Sequence, residues 1–403
     1  MQRDFPNIRH MRILLETART GSVSKAAVLC HLSQPAATQA ISRLEADIGA
    51  ELLVRKRKRA ALTVCGRIFA ERAAKALSHL KDSAQAVLRE SKKKTPRRQQ
   101  FEQYVTASQL RILIAIANAG SFSVAANFLG LSQPTVHRTA RSLEALIGVP
   151  LFIARSSGVR LTPSAEAFVF GAKLAQSEIR QCVEEISREL GQERGTFVLG
   201  SLPLARTTVV PKAIHAMVST VNGFQVQVIE GRYAELLRSL REGNLDCLIG
   251  ALRHPAPAED IEQELLFRDA LAIVAHPNHS LAGRTHLSLD ETLDFPWIAP
   301  PKETPAGQYL FETLRIQDLP QTPIRVVSSS MAILRGVLAE GPYLSVVSRH
   351  QINVDAALGV IATLDVPLEG HIRDIGLTYR RGWQPTESQS KFINFLRKYG
   401  TIG

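Results

Sequence analysis

Two stretches of this sequence gather side chains that hydrogen-bond outward rather than react. In the first, Ser33, Gln34, Pro35 and Ala36 run on to Thr38, Gln39, Ser42 and Arg43. In the second, Ser132, Gln133, Pro134 and Thr135 run on to His137, Arg138 and Arg141. Amides, hydroxyls and guanidinium groups at this spacing can pair with base edges and phosphates. No pattern for bond-making accompanies them: GxSxG, HExxH, a P-loop and GxGxxG before a helix are all missing, so no catalytic role is expected. The four cysteines, Cys30, Cys65, Cys182 and Cys247, lie far apart with no CxxC pair. They read as reduced structural thiols, with no metal site, disulfide framework or cofactor implied.

The elements that must hold these residues follow from local pattern. An apolar helix over about 8–19 ends at Gly21, and a second over about 107–118 ends at Gly120. Ser22 and Ser121 can each cap the next helix, which carries an Ala-Ala pair small enough for close crossing. Ser33 and Ser132 then offer N-caps, and Pro35 and Pro134 fall in a first turn where a missing N–H costs nothing. Ile41, Leu44 and Ile48 line one face of the helix that follows, leaving Thr38, Gln39, Ser42 and Arg43 outside. Two short helices, a tight turn and a polar-faced second helix describe a helix-turn-helix.

That description applies twice because the segment is duplicated. Residue n matches residue n+99 at Arg12/Arg111, Gly21/Gly120, Ala26/Ala125, Ala27/Ala126, Ser33/Ser132, Gln34/Gln133, Pro35/Pro134, Leu44/Leu143, Glu45/Glu144, Gly49/Gly148 and Thr63/Thr162, among others. One gap and one insertion near Arg55 and Arg155 restore the register.

Charge separates the copies. The chain carries +12 overall. Residues 1–100 hold 21 Lys/Arg and 8 Asp/Glu, residues 101–195 hold 9 and 8, and the remainder 19 and 21. The positive excess therefore belongs to the first quarter, the footprint of a nucleic-acid reader with neutral modules attached. Much of it lies in Arg55-Lys56-Arg57-Lys58-Arg59, placed to form a wing whose Arg55, Arg57 and Arg59 touch phosphates or the minor groove. Copy two offers Arg155 and the less basic SSGVR.

GSVSKAAVLCHLSQPAATQAISRLEADIGAELLVR and GSFSVAANFLGLSQPTVHRTARSLEALIGVPLFIAR both resemble the winged helix-turn-helix of LysR-type transcriptional regulators. The AA pair, SQP, LE, IG, the LFxR-like end and the closing LT carry the likeness. Copy one departs with Leu53 in place of Phe, and copy two with a residue added before Arg155 and Ala165 in place of a Gly like Gly66.

Amphipathic helices follow both copies, with Ile68, Ala73, Leu77, Leu80 and Val87 in one and Phe168, Leu174, Ile179, Val183 and Ile186 in the other. The resemblance implies that such a linker helix pairs with its twin in a dimer. Lys92-Lys93-Lys94-Thr95-Pro96-Arg97-Arg98 breaks the first helix and reads as a flexible tether. Residues 101–403 have the size and order of a full family member, so 1–98 looks like an added copy.

From Thr196 strand-like runs alternate with helices, predicting a mainly parallel α/β sheet. GSLPL, VIEGRYAELLRSLREGNLDCLIG, LAIVAHPNHSL and LAEGPYLSVVS resemble the family's effector domain, which implies the two-lobed fold of periplasmic binding proteins. Ser201, Arg232, Tyr233, Ser328 and Ser329 fall at turns after strands, where an open α/β sheet receives ligands, and are the candidates for effector contact.

The expected fold is multidomain, with two winged helix-turn-helix modules on long linker helices ahead of a two-lobed α/β domain. The expected divisions are 1–65, 66–100, 101–164, 165–195 and 196–403, with lobe one at 196–267 plus 349–403 and lobe two at 268–348. The expected function is sequence-specific regulation of transcription in response to a small molecule. A nonspecific architectural DNA binder is the alternative, to which a two-lobed sensor would contribute nothing. Partners would be double-stranded promoter DNA, the effector and further copies of the chain as a dimer or tetramer. No apolar run approaches the ~18 residues that span a bilayer and no signal peptide is evident, which points to a cytoplasmic protein without membrane contact.

Overall fold

The computed structural model describes residues 5–56, 59–90, 100–156, 158–192, 195–319, 322–370 and 372–400. It forms two compact units, one of residues 1–194 with 242–244, the other of the rest.

In the first unit, α1 (Ile8–Thr20), α2 (Val23–Leu29) and α3 (Gln34–Ile48) are followed by a hairpin, β1 (Leu53–Lys56) and β2 (Arg59–Leu62), and by α4 (Val64–Glu90). The same order returns as α5 (Ala107–Ala119), α6 (Phe122–Leu129), α7 (Gln133–Ile147), β3 (Phe152–Arg155), β4 (Gly158–Leu161) and α8 (Pro163–Glu189). Gly21 and Gly120 close the first helix of each copy in the left-handed conformation that favours glycine. Ala26, Ala27, Ala125 and Ala126 are buried, which lets three helices cross without side-chain bulk between them. Ser22 caps α2 by accepting from Lys25 N, but Ser121 does not cap α6: its hydroxyl is 3.0 Å from that of Ser123 instead.

The resemblance implies that each linker helix pairs with its twin in a dimer. Here α4 packs along α8 of the same chain, and one continuous hydrophobic core runs through both copies, from Leu14 and Leu44 to Leu80, Phe168 and Leu143. Phe101, just ahead of copy two, is buried edge-on against Phe168 with ring centroids 5.1 Å apart. The tether at Lys92–Arg98 lies outside the described residues.

The second unit is built on two joined sheets. Strands β6 (Phe224–Glu230), β5 (Gly195–Ser201), β7 (Cys247–Ala251), β13 (Ile372–Arg380) and the first part of β8 (Ile261–Ala275) form one; the end of β8, β11 (Leu344–Ser348), β9 (Trp297–Ala299), β10 (Ile324–Val327) and β12 (Ala362–Thr363) form the other. Helices cover the first sheet on both faces. α9 (Val209–Thr220) and the terminal helix Glu387–Gly400 take one side, and α10 (Tyr233–Arg241) the other. The second sheet is likewise enclosed, around Trp297 and Leu310 on one face and Leu334 and Leu338 on the other.

Two sequence expectations change. The sheets are mixed rather than mainly parallel, because β8, which joins both sheets, and β13 beside it run antiparallel to their neighbours. Residues 361–366, expected in lobe one, belong to lobe two: β12 pairs with the end of β8, and Leu364 and Val366 join the core around Trp297. The crossing itself is pinned by buried Asp269. It accepts from Ser348 Oγ at 2.8 Å and His350 N at 3.3 Å and pairs with Arg373. Burial works to raise the Asp269 pKa, but hydrogen bonds from His350, Ser348 and Arg373 hold the carboxyl below its usual range.

Candidate nucleic-acid interface

Each recognition helix is built to show one face. Ser33 Oγ accepts from Ala36 N and Ser132 Oγ from Thr135 N, both at 3.4 Å, with Pro35 and Pro134 in the first turn as the sequence implied. Along α3, Ala37, Ala40, Ile41, Leu44 and Ile48 are buried, while Gln34, Pro35, Thr38, Gln39, Ser42 and Arg43 are exposed and Ala36 is half-buried. Along α7, Val136, Ala140, Leu143 and Ile147 are buried, and Gln133, Pro134, Thr135, His137, Arg138 and Arg141 are exposed. The predicted readers therefore come together on one face in each copy.

Their environments differ. Thr38 Oγ1 donates to Gln34 O at 3.1 Å, so its proton is directed into its own helix. His137 lies against the Phe122 ring, 5.1 Å between centroids, which fixes the imidazole at the start of the exposed face. Arg141 pairs with Glu144 at 2.6 Å, and Arg138 and Gln39 occupy equivalent places, 99 residues apart.

The wings are tied to these helices by residues that the sequence showed but did not explain. Glu45 Oε1 accepts from Leu52 N at 2.9 Å and Leu53 N at 3.2 Å. Glu144 Oε1 accepts from Leu151 N at 2.7 Å and Phe152 N at 3.2 Å. One carboxylate on each recognition helix thus orients the first wing strand, the physical reason for the repeated Leu-Glu. The second strand donates to the glycine that ends the first helix: Ala60 N to Gly21 O at 3.0 Å and Val159 N to Gly120 O at 2.7 Å. Arg55 and Arg59 are on the backbone of β1 and β2, while Arg57 and the side chains of Arg55 and Arg59 lie outside the described residues. Arg155 is exposed at the tip of β3.

The effector candidates sort onto two strand edges. Ser201 ends β5 beside Glu230 of β6 and is buried, and its carbonyl accepts from Arg206, which also pairs with Glu230 at 2.9 Å. Arg232 is exposed, and Tyr233 is half-buried with the Arg253 guanidinium 4.8 Å above its ring. Ser328 and Ser329 follow β10 on the other sheet. Ser328 N donates to Ala299 O, its hydroxyl accepts from Ser330 N, and Ser329 is exposed. Arg206, which no sequence pattern marked, is a further cation held at the first edge.

Residues 8–67 and 107–166 each match the bacterial regulatory helix-turn-helix protein, lysR family, and residues 190–401 match the LysR substrate binding domain. The chain belongs to the LysR family of transcriptional regulators. It is 30% identical over 380 residues to the HTH-type transcriptional regulator GalR of Pseudomonas putida, covering 94% of each chain. It is 27% identical over 297 residues to PcaQ of Agrobacterium fabrum, a match that takes in 96% of that protein and 74% of this one. A full-length OxyR variant from Pseudomonas aeruginosa shares the fold at a TM-score of 0.52, with 23% identity over 73% of this chain and 94% of that one. As a LysR-type regulator this protein binds promoter DNA and a small-molecule effector, is not an enzyme, and works in a family that forms oligomers. Among the described residues no helix is long and apolar enough to cross a membrane.

Proposed function

We propose that both helix-turn-helix copies of this LysR-type regulator touch DNA. Ala36, Thr38, Gln39 and Ser42, and in copy two Thr135, His137 and Arg138, read base edges. Ser33, Gln34, Pro35, Arg43, Ser132, Gln133, Pro134 and Arg141 position the two helices on the duplex. Arg55, Arg57, Arg59 and Arg155 meet the phosphates from the wings. The observation that supports this reading is that both recognition helices keep a polar outer face while their inner faces share one core. The modules divide as 1–65, 66–100, 101–164, 165–195 and 196–403, and the protein works in the cytoplasm.

Ser201, Arg232, Tyr233, Ser328 and Ser329 contact the effector at the strand ends, and Arg232 favours a polar or anionic molecule. Effector binding re-poses the two lobes and so changes how assembled chains occupy or bend the promoter. Gln39→Ala and Arg138→Ala test the two readers by DNase footprinting of the full-length protein. Each substitution weakens one part of the protected region, by about 10-fold or more where a base-edge hydrogen bond is removed. An Arg138→Ala footprint identical in extent and affinity to the original would remove copy two from the interface.

A further inference from the structure

The pairing of α4 with α8 has a direction and a specificity. Arg72 of α4 meets Glu178 at 3.0 Å, Gln181 at 2.7 Å and Glu185 at 2.6 Å on α8. Further along α4, Ser83 lies against Gly171. Rising numbers on one helix meet falling numbers on the other, so the helices are antiparallel, and the 99-residue repeat turns one copy into the other by an approximate twofold axis across the pair.

That twofold is broken at one pair of equivalent buried positions. The repeat equivalent of Arg72 is Gly171. At Gly171 the helices approach so closely that a Cβ would stand 2.4 Å from Ser83 Cβ and 2.6 Å from His79 O. At Arg72 a guanidinium on a side chain only 4% exposed fills the corresponding space. Burial works to lower the Arg72 pKa, but the hydrogen bonds with Glu185 and Glu178 raise it, so the group stays charged.

Identical helices would satisfy this arrangement less well. In the same register, α8 against a second α8 would bring Glu178, Gln181 and Glu185 of each helix to a glycine, with no cation to pair the carboxylates. α4 against a second α4 would put Arg72 opposite His79, Asp82 and Ala86 in place of two carboxylates and an amide. Each alternative carries a penalty that the mixed pair lacks, which is how partner choice is specified. The chain also doubles back beside α4: Arg12 of copy one donates to Glu102 O at 3.4 Å, on the segment leading into copy two. A short connection of this kind holds the second helix at an effective concentration in the millimolar range, far above that of another subunit.

We propose that a single chain builds a complete two-reader DNA-binding unit by pairing α4 with α8 in cis, and that its target is two unlike half-sites in fixed order. The half-site consequence rests on both copies reading DNA; the pairing does not. Protein symmetry is mirrored in operator symmetry, so a pair related by a twofold in skeleton but not in reading face requires an operator that is inverted in layout and unequal in sequence.

The test compares charge reversals in cis and in trans, using full-length protein. Arg72→Glu and the double variant Glu178→Arg with Glu185→Arg each lower Tm, by roughly 10 °C. Placing all three in one chain restores most of the loss, whereas refolding the two reversed chains together restores none. Recovery in the mixture equal to that of the triple variant would show pairing between subunits and overturn the proposal, as would a triple variant no better than its parents. Should a reversed chain fail to accumulate folded, co-expression decides between the same outcomes: the triple chain folds alone, and rescue of two reversed chains by each other contradicts the proposal. Because Tm involves no DNA, this outcome is separate from that of the footprint.

Discussion

In copy one the outward face of the recognition helix carries Thr38, Gln39, Ser42 and Arg43, while in copy two it carries His137, Arg138, Arg141 and Ser142. Beneath those faces the copies agree to within a few tenths of an ångström in their key hydrogen bonds. Glu45 and Glu144 hold the wing at its first strand, and Thr63 and Thr162 cap the linker helix by accepting from Gly66 N at 2.8 Å and Ala165 N at 3.2 Å. Duplication preserved what fixes backbone geometry and released what meets the partner. Where the copies touch each other, they have instead become complementary, with Arg72 in one and Gly171 in the other. Gly66 and Ala165 show a smaller divergence: a Cβ at Gly66 would stand 2.0 Å from Leu52 O, yet the equivalent Ala165 is buried with its methyl group accommodated.

The contrast can be broken most severely at the helix crossing. Gly171→Arg, which gives copy two the residue that copy one has, should cost about 3 kcal/mol through overpacking against Ser83. Denaturant unfolding of the full-length protein measures it, and an unchanged midpoint would mean that the two ends of the pair are interchangeable. The next effect is on affinity rather than folding. Replacing Arg55, Arg57 and Arg59 with Ala should lower the slope of log K against log salt by roughly 1 for each phosphate no longer neutralised. Arg155→Ala should lower it by at most one such step. Equal changes from the two wings would contradict the expectation, from the positive excess in residues 1–100, that copy one meets the phosphates more strongly.

Much of this was legible in the residues because it is local. Caps at Ser33 and Ser132, the prolines behind them and the glycine helix ends are short-range rules, and the repeat stated each of them twice. The polar faces of α3 and α7 followed from helical periodicity. The pairing of the linker helices was not legible, since an amphipathic stripe shows that a helix is covered and not by what. Arg72 had no motif to mark it, and Glu178, Gln181 and Glu185 stand more than a hundred residues away from it. Glu45 and Glu144 were visible as part of a repeated pair, but their task depends on the return of the wing to the recognition helix. In the effector unit, the course of β8 through both sheets and the return of residues 362–363 to its end depend on long-range pairing, which no local pattern marks.

If one chain carries two unlike readers, the DNA sequence that the protein selects shows it most directly. Full-length protein at limiting concentration would be used to enrich a pool of randomised duplexes, and the shortest enriched motif read by sequencing. The expected motif is two unlike half-sites in a fixed order, with Arg138→Ala relaxing selection in one half and Gln39→Ala in the other. A shortest motif that is a perfect inverted repeat, relaxed equally in both halves by either substitution, would contradict it.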